Sequence, residues 1–323
     1  MNQKKKRFKS LKLSIFIAFI TQEIQAAPPL RIAGSSAVFP FAATVGEHFS
    51  HKAHEPVPLV EAIGTGAGIK LFCGSLNGPD GAIASRSMSK AEKEKCNSHG
   101  ITFVEFKIGL DGLILIQSKK EPGFALTLKD LNIALADKIT KGKDCIKNPY
   151  KIWSEIQNNF PDYPIRVLGP APTSGTYDVL VENIMGACGP FLRHDGAYIE
   201  AAANENLIIQ KVLNAPQTLG IVTFSFYEQN NNRLRGLALD GVLPSMTSIQ
   251  KGEYNLSRPL YLYIKTNNIM NFPSRAGYVI EFTSNDAVGK KGYLNEKGLI
   301  PLASEEQNVM HKRALDLQRG NTP

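Results

Sequence analysis

The chain has 323 residues, of which 43% are hydrophobic and 20% are charged. This is the composition of a folded globular protein long enough for two domains, and it excludes a largely disordered chain. The formal net charge of +8 is concentrated at the start, because the first 27 residues hold six Lys or Arg and one acid and leave about +3 for the rest. The high sequence pI therefore does not indicate a surface that binds nucleic acid or membrane.

Residues 1–27 have the pattern of a cleaved secretory signal. Cations from Lys4 to Lys12 precede the apolar run 13–20, which is too short to span a bilayer, and Ala26 and Ala27 supply small residues for cleavage. An uncleaved membrane anchor is the alternative. Because no cysteine lies near the cleavage site, we expect a soluble protein without a lipid anchor, exported to the periplasm.

Units of strand, small-residue loop and helix follow the signal. A strand at 30–33 runs into the loop 34–40 (GSSAVFP), and a strand at 57–63 runs into the loop 64–68 (GTGAG). Apolar residues at helical spacing follow each loop. A further small-residue strand at 81–86 ends on an arginine. In the first two units the chain brings the backbone N–H groups of a helix start to the end of a strand.

A similar unit lies in the middle of the chain. The strand 165–168 leads into the loop 169–176 (GPAPTSGT), and a helix with one apolar face continues until Gly186. The helix start points backbone N–H groups and the positive end of the helix dipole at one spot, where a hydroxyl from Ser174 or Thr176 could complete an anion site. The alternative is that Ser174 is an ordinary helix N-cap.

These loops favour an α/β architecture over an all-α or all-β one. Because ligands of open α/β sheets lie beyond the carboxyl ends of the strands, the loops at 34–40, 64–68 and 169–176 suggest one shared anion site. Chance is the alternative, since every connection from strand to helix needs turn and capping residues.

The other predicted elements complete this architecture. Capping boxes at Ser89 and Thr127 start two helices. The apolar runs 110–116 and 258–264 suit strands that cross between two lobes. The remaining predictions are strands at 101–108 and 219–226, helices around 207–212 and at 277–282, and a closing loop at 292–300.

Four cysteines lie beyond the signal. An even number in an exported protein favours disulfides, and three pairings are possible. We favour Cys73–Cys96 with Cys145–Cys188, because each pair then stays within one domain. Metal binding by the cysteines is less expected, because no C-x-x-C pair is present.

Familiar nucleotide, hydrolase and metal motifs are not found. A dinucleotide loop at 64–68 would require glycine at Ile69, and Lys70 is not followed by the Ser or Thr of a phosphate-binding NTPase loop. There is no G-x-S-x-G elbow, and no histidine has the context of a catalytic triad. Three histidines at 48–54 are spaced by three, but on a helix the third would lie about 240° from the first, which favours a solvated helix end over a metal site.

Six motifs together resemble one protein family. They are GSSAVFPFA at 34–42, GTGAGIKLFC at 64–73, IASR at 83–86, GLDGL at 109–113, PTSGT at 172–176 and RPLYLYIK at 258–265. In this order, over nearly the whole chain after the signal, they resemble the phosphate-binding proteins of phosphate ABC transporters. The resemblance implies a type II periplasmic-binding-protein fold, with two α/β lobes joined by two crossing strands. Lobe 1 would comprise residues 28–113 and 260–323, and lobe 2 residues 114–259.

The resemblance also implies a phosphate site. Its residues would be Ser36, the Phe39 backbone, Thr65, Ser85 and Arg86 from lobe 1, with Ser174, Gly175 and Thr176 from lobe 2. A buried dianion needs many charge-assisted hydrogen bonds, each worth roughly 1.5–3 kcal/mol. The planar fork of Arg86 matches phosphate oxygens, and a surface salt bridge is the alternative for this residue. Asp111 belongs to the hinge motif, and we interpret it as structural.

Two positions depart from the family pattern: Ala37 stands where Thr is usual, and Tyr177 stands where Arg often follows S-G-T. The sequence predicts a monomeric solute-binding protein, not an enzyme, that captures inorganic phosphate for the membrane permease of an ABC transporter. No cofactor, metal or nucleic acid is expected. The alternative is an adhesin-like or sensory protein of the same fold with weakened or altered anion binding. A phosphomonoester hydrolase is disfavoured, because no nucleophile with a neighbouring base is apparent.

Overall fold

The computed structural model describes residues 28–172, 175–201 and 205–320. The predicted signal at 1–27 and Ser174 of the predicted site lie outside the described residues. Within them, none of the helices combines the length and the apolar character that crossing a membrane requires.

One large sheet runs through the molecule. The described strands are β1 (Arg31–Gly34), β2 (Leu59–Ala62), β3 (Gly81–Ala84), β4 (Phe103–Ser118), β5 (Lys138–Lys141), β6 (Asp144–Lys147), β7 (Val167–Pro170), β8 (Tyr198–Ala201), β9 (Leu219–Thr223), β10 (Leu234–Gly236) and β11 (Ser257–Lys265). The order in the sheet is β2-β1-β3-β11-β4-β9-β7-β8, with β10 paired to β4. Strands β5 and β6 form a separate antiparallel hairpin.

Helices connect most of these strands. They are α1 (Phe39–Ala53), α2 (Thr65–Phe72), α3 (Lys90–Ser98), α4 (Leu128–Leu135), α5 (Gly175–Ile184), α6 (Glu205–Asn214), α7 (Phe224–Gln229), α8 (Met246–Gln250), α9 (Thr266–Asn271), α10 (Ala276–Thr283), α11 (Asn285–Val288) and α12 (Ser304–Gln318). Both predicted capping boxes are present, at Ser89 for α3 and at Thr127 for α4. These caps satisfy backbone N–H groups that a helix start leaves without partners.

The sheet has two parallel halves joined by two long antiparallel strands. In the first half, β2, β1 and β3 are parallel; in the second, β9, β7 and β8 are parallel. Between them β4 and β11 run antiparallel to each other, and β4 continues to pair with β9. We call the half with β1–β3 lobe 1 and the half with β7–β9 lobe 2. This arrangement confirms the predicted α/β fold of two lobes with two crossing strands.

Each lobe has its own hydrophobic core. In lobe 1 the apolar face of α1, with Phe41 and Val45, packs with buried residues of β4 such as Phe106. In lobe 2 the core includes Leu113 of β4 and the fully buried Trp153. Because one half of β4 enters each core, the strand fixes the two lobes to a common element.

Two strand predictions were wrong in their extent. The segments 101–108 and 110–116 are one strand, β4, which is continuous through the glycines of the crossing and has a register shift opposite Leu260 and Tyr261 of β11. The predicted strand 219–226 ends at Thr223, and α7 begins at the next residue. An apolar run alone does not show where a buried strand turns into a helix.

Two disulfides join the cysteines. Cys73 is bonded to Cys96, and Cys145 is bonded to Cys188, which is the pairing favoured from the sequence. The first pair is buried in lobe 1 between α2 and α3. The second ties the β5–β6 hairpin to the segment that follows α5.

Candidate functional site

The loops of lobe 1 meet at one edge of the sheet. Strands β2, β1 and β3 are parallel neighbours, so their carboxyl ends lie side by side. The amides of Ile63 and Gly64 both donate to the carbonyl of Gly34, at 2.9 and 2.8 Å. The amide of Ser35 donates to the carbonyl of Ile83 at 2.9 Å. These bonds bring the predicted residues of all three loops into one region.

Thr65 and Ser85 form a buried pair of hydroxyls in this region. Their oxygens are 3.0 Å apart, and the Ser85 amide donates to Thr65 Oγ1 at 3.2 Å. Their exposed fractions are 7% and 4%. Each hydroxyl carries one hydrogen, and the bond between the two uses only one of them. The pair therefore retains a hydrogen that can be donated to an oxygen atom of a ligand.

The start of α2 presents backbone amides beside this pair. Gly64 precedes the helix with a φ of 87°, a left-handed value that favours glycine. The first helical backbone bond runs from the amide of Gly68 to the carbonyl of Gly64, at 3.0 Å. The amides of residues 65–67 come before that bond and have no intrahelical acceptor. The positive end of the helix dipole lies at the same place, so the position suits an anion.

The loop before α1 uses the predicted Phe39 amide internally. The amides of Val38 and Phe39 both donate to the carbonyl of Ser35, at 3.2 and 3.0 Å. By contrast, the amides of Ser36 and Ala37 have no hydrogen-bond acceptor within the described part of the chain. The amides that this loop can offer to a ligand are therefore those of residues 36 and 37.

Arg86 lies at the rim of the region, next to Ser85. Its guanidinium forms a two-bond ion pair with Glu92, with Nη1–Oε2 at 2.8 Å and Nη2–Oε1 at 2.9 Å. Nη1 also donates to the carbonyl of Ser87 at 3.1 Å. Chiefly through the hydrogen bond from Arg86, the pKa of Glu92 is lowered to about 2. The Arg86 side chain is 49% exposed, so the salt bridge considered from the sequence exists and leaves part of the guanidinium open.

The site residues predicted in lobe 2 fall at the start of α5. Gly175 is the first residue of this helix and Thr176 the second, whereas Ser174 lies outside the described residues. Tyr177 packs inward against Tyr198, with ring centroids 6.4 Å apart and an angle of 66° between the rings. Tyr177, one of the two departures noted in the sequence, is thus part of the packing of lobe 2.

An ion pair links α5 to a crossing strand. Nη1 of Arg258, on β11, is 2.7 Å from Oε2 of Glu182, on α5. Arg258 is also opposite Asp111 of β4. Burial raises the pKa of Asp111, and the charge of Arg258 opposes this rise. The charge of Glu182 adds to the larger effect of Glu92 in raising the pKa of Arg86.

Glu205 is a candidate that the sequence analysis missed. It begins α6, and its Oε2 accepts hydrogen bonds from the amide and Oγ1 of Thr223, at 2.8 and 3.0 Å. Burial raises its pKa to about 7, against these bonds, and the charge of Asp111 raises it further. The available signal was an acid in the first turn after the small residues 201–203, which is a weak pattern without the position of Thr223.

In the described part of the chain, grooves but no metal cluster lie away from this region. The described residues contain no group of three or more His, Cys, Asp or Glu side chains that could hold a metal ion. Two grooves of about 630 and 560 Å³ lie elsewhere, one beside α6 and one between α7 and residues 290–301. None of the predicted phosphate-site residues lines either groove.

Sequence comparison gives relatives over most of the chain. Residues 21–286 match the PBP superfamily domain. The chain is 32% identical over 308 residues to protein SphX of Synechococcus elongatus, covering 91% of this chain and 84% of SphX. It is 31% identical over 242 residues to the phosphate-binding protein PstS of Staphylococcus epidermidis, covering 73% of this chain and 68% of PstS.

Comparison with solved structures also finds proteins of similar fold. A possible phosphate binding protein from Planctomyces limnophilus is similar with a TM-score of 0.80 and 27% identity, over 90% of this chain and 99% of that one. An ABC-type phosphate transport receptor from Vibrio cholerae, at 19% identity and a TM-score of 0.61, shares the fold. The chain therefore belongs to the PBP superfamily, in the family of type II periplasmic phosphate-binding proteins.

Proposed function

We propose that this protein binds inorganic phosphate between its lobes. The observation that carries the proposal is the buried Thr65–Ser85 hydroxyl pair, which lies beside the open start of α2 and next to Arg86. These groups are hydrogen-bond donors or bear positive charge, as a fully ionised oxyanion requires. The relatives named as phosphate-binding proteins support the choice of phosphate.

The proposed site has contributions from both lobes. They are Ser36, Phe39, Thr65, Ser85 and Arg86 of lobe 1, and Ser174, Gly175 and Thr176 of lobe 2. The Phe39 amide would have to share its hydrogen with the carbonyl of Ser35 or exchange one acceptor for the other. The division into lobe 1 at 28–113 and 260–323, and lobe 2 at 114–259, is part of this proposal, because closure needs the boundaries to fall on β4 and β11.

The role that follows is capture and delivery without chemistry. We infer that the protein is exported through cleavage of residues 1–27, acts as a monomer in the periplasm and passes phosphate to the membrane permease of an ABC transporter. The PstS relative, which is named a phosphate-binding protein, supports this assignment, and the phosphate transport receptor from Vibrio cholerae shares the fold. The inward packing of Tyr177 favours one alternative, a sensory or adhesin-like protein with weakened anion binding.

Calorimetric titration of the mature, disulfide-bonded protein separates these functions. After dialysis into phosphate-free buffer, phosphate should bind with a Kd well below about 1 mM, which corresponds to roughly −4 kcal/mol. Sulfate serves as the comparison oxyanion. If neither anion binds more tightly than about 1 mM, the transport proposal fails and the sensory or adhesin-like alternative takes its place.

A further inference from the structure

The backbone on both sides of Arg86 is fixed. On one side, the Ser85 amide is bound by Thr65 Oγ1. On the other, the amide of Met88 donates to the hydroxyl of the buried Tyr263 at 2.9 Å. The remaining freedom lies in the Arg86 side chain, which is half exposed and has many rotamers unless a partner holds it.

Glu92 is that partner, and its own position is fixed. Its Oε2 accepts a hydrogen bond from the Ser89 amide at 2.8 Å, as part of the capping box of α3. The same carboxylate accepts the two bonds from Arg86. If Arg86 were released, the Glu92 carboxylate would lose two of the three hydrogen bonds that it accepts. This argues against Glu92 as a mere stand-in that phosphate displaces.

The bonds of Arg86 leave one particular edge of the guanidinium open. A guanidinium has five N–H donors. Glu92 takes one hydrogen each of Nη1 and Nη2, and the Ser87 carbonyl takes the second hydrogen of Nη1. The two that have no acceptor among the described residues are Nε–H and the second Nη2–H. They lie parallel on one edge, which is the geometry that bonds two oxygens of one phosphate.

We propose that Glu92 is a positioning residue for phosphate. It accepts hydrogen bonds from the Nη1–Nη2 edge of the Arg86 guanidinium and thereby orients the neighbouring Nε–Nη2 edge to bind the anion. This inference rests on the proposed function and adds the residue that orders its principal cation. Orientation in advance lowers the entropy that binding must otherwise spend on a flexible side chain. Glu92 does not itself contact phosphate in this arrangement.

The test compares E92Q with S89A in the full, disulfide-bonded protein. E92Q removes the negative charge that pairs with Arg86. S89A removes the hydroxyl of the same capping box but leaves the backbone amide that holds Glu92. Phosphate affinity is measured by calorimetry at about 0.15 M ionic strength, which reduces but does not abolish the repulsion between Glu92 and the anion. E92Q relieves that repulsion, so a loss of affinity in E92Q would have to exceed this gain. Thermal unfolding of each variant reports the cost to the helix.

We expect E92Q to weaken phosphate binding about tenfold, comparable with the loss of an orienting partner in a metal site. S89A should lower the melting temperature and leave the affinity unchanged. In an R86K background the effect of E92Q should shrink, because a lysine ammonium has no second edge to orient.

Three results would overturn the inference: equal or tighter phosphate binding by E92Q, a loss in S89A as large as that in E92Q, or an undiminished E92Q effect in R86K. Each of them would leave the proposed function intact, provided that the wild-type protein binds phosphate. Absence of phosphate binding by the wild-type protein would overturn both.

Discussion

Thr65 connects two loops through a single oxygen atom. Its Oγ1 accepts a hydrogen bond from the buried Ser85 amide and lies 3.0 Å from the Ser85 hydroxyl oxygen. Both residues were expected in the site from the resemblance of their motifs. The bond between them could not be expected, because it depends on the neighbouring positions of β1, β2 and β3 in the sheet.

Replacing Thr65 with Val should destabilise the protein by about 1–3 kcal/mol, because the buried Ser85 amide then loses its acceptor at nearly constant side-chain volume. Urea unfolding measures this loss. S85A is the matched control: it removes the other hydroxyl but keeps the amide bond to Thr65, so its cost should be smaller. A T65V protein as stable as the wild type would contradict the assigned role of Oγ1.

Glu205 should make stability depend on pH. Its pKa is raised from 4.5 to about 7 in the folded protein, so the folded state holds a proton that the unfolded chain releases between these values. The stabilisation is complete below pH 4.5 and is lost as the pH rises through 7. E205Q keeps a carbonyl acceptor for Thr223 but does not titrate. The free energy of unfolding of E205Q relative to that of the wild type should therefore rise by roughly 3 kcal/mol between pH 4.5 and 8.

Urea unfolding of wild type and E205Q at both pH values checks this prediction. A stability difference that does not change with pH would show that Glu205 titrates normally. The sequence could not reveal this group, since the shift arises from burial and from the neighbouring Asp111, which is far away in the chain.

At the scale of elements, local signals were the most reliable guide. The capping boxes of α3 and α4 were each predicted from a segment of four residues, and both are present. The crossing strand β4 was predicted in two pieces, 101–108 and 110–116, separated at Gly109. In the structure Gly109 and Gly112 both lie within the strand. A Cβ atom at Gly109 would lie 2.6 Å from Leu299, so the close packing there favours glycine.

Other elements gave too little pattern to predict. Helix α12 was not predicted, because few of its side chains are buried: Gln307, Ala314 and Leu317. Such a narrow apolar face does not produce a clear helical period. The β5–β6 hairpin was also missed, and most of its residues are exposed.

The disulfide at Cys145 should stabilise this exposed hairpin and its surroundings. It joins cysteines 43 positions apart, and closing a loop of that length removes up to about 4 kcal/mol of chain entropy from the unfolded state. C145A/C188A should therefore unfold at a clearly lower urea concentration. The Cys73–Cys96 bond closes a shorter loop, of 23 positions. Its removal in C73A/C96A also loses buried packing, so this variant should be destabilised at least as much.

If C145A/C188A has the urea midpoint of the wild type, the bond does not restrict the unfolded chain as argued. Mass spectrometry of the intact and reduced wild-type protein is the control that both bonds form. Thermal unfolding under reducing conditions gives an independent comparison.

At the scale of the whole molecule, the fold followed from the order of the motifs along the chain. The strand, loop and helix units predicted an α/β architecture, the resemblance of the six motifs implied two lobes with two crossing strands, and the structure has this arrangement. The arrangement of charges within it did not follow from the sequence. Glu92 pairs with Arg86, and Glu182 pairs with Arg258, only after α3 and α5 are placed in the fold.

The central claim is that Arg86 is the principal cation of a phosphate site built on three loops of lobe 1 and the start of α5. Phosphate affinity of R86A, measured by calorimetry against wild type, tests it most directly. R319A is the matched control, because Arg319 is 70% exposed in the C-terminal helix region and pairs only at 3.8 Å with Asp316. Loss of two charge-assisted hydrogen bonds predicts that R86A binds phosphate roughly 100-fold or more weakly, with R319A unchanged. An R86A protein that binds phosphate as tightly as the wild type would contradict the claim.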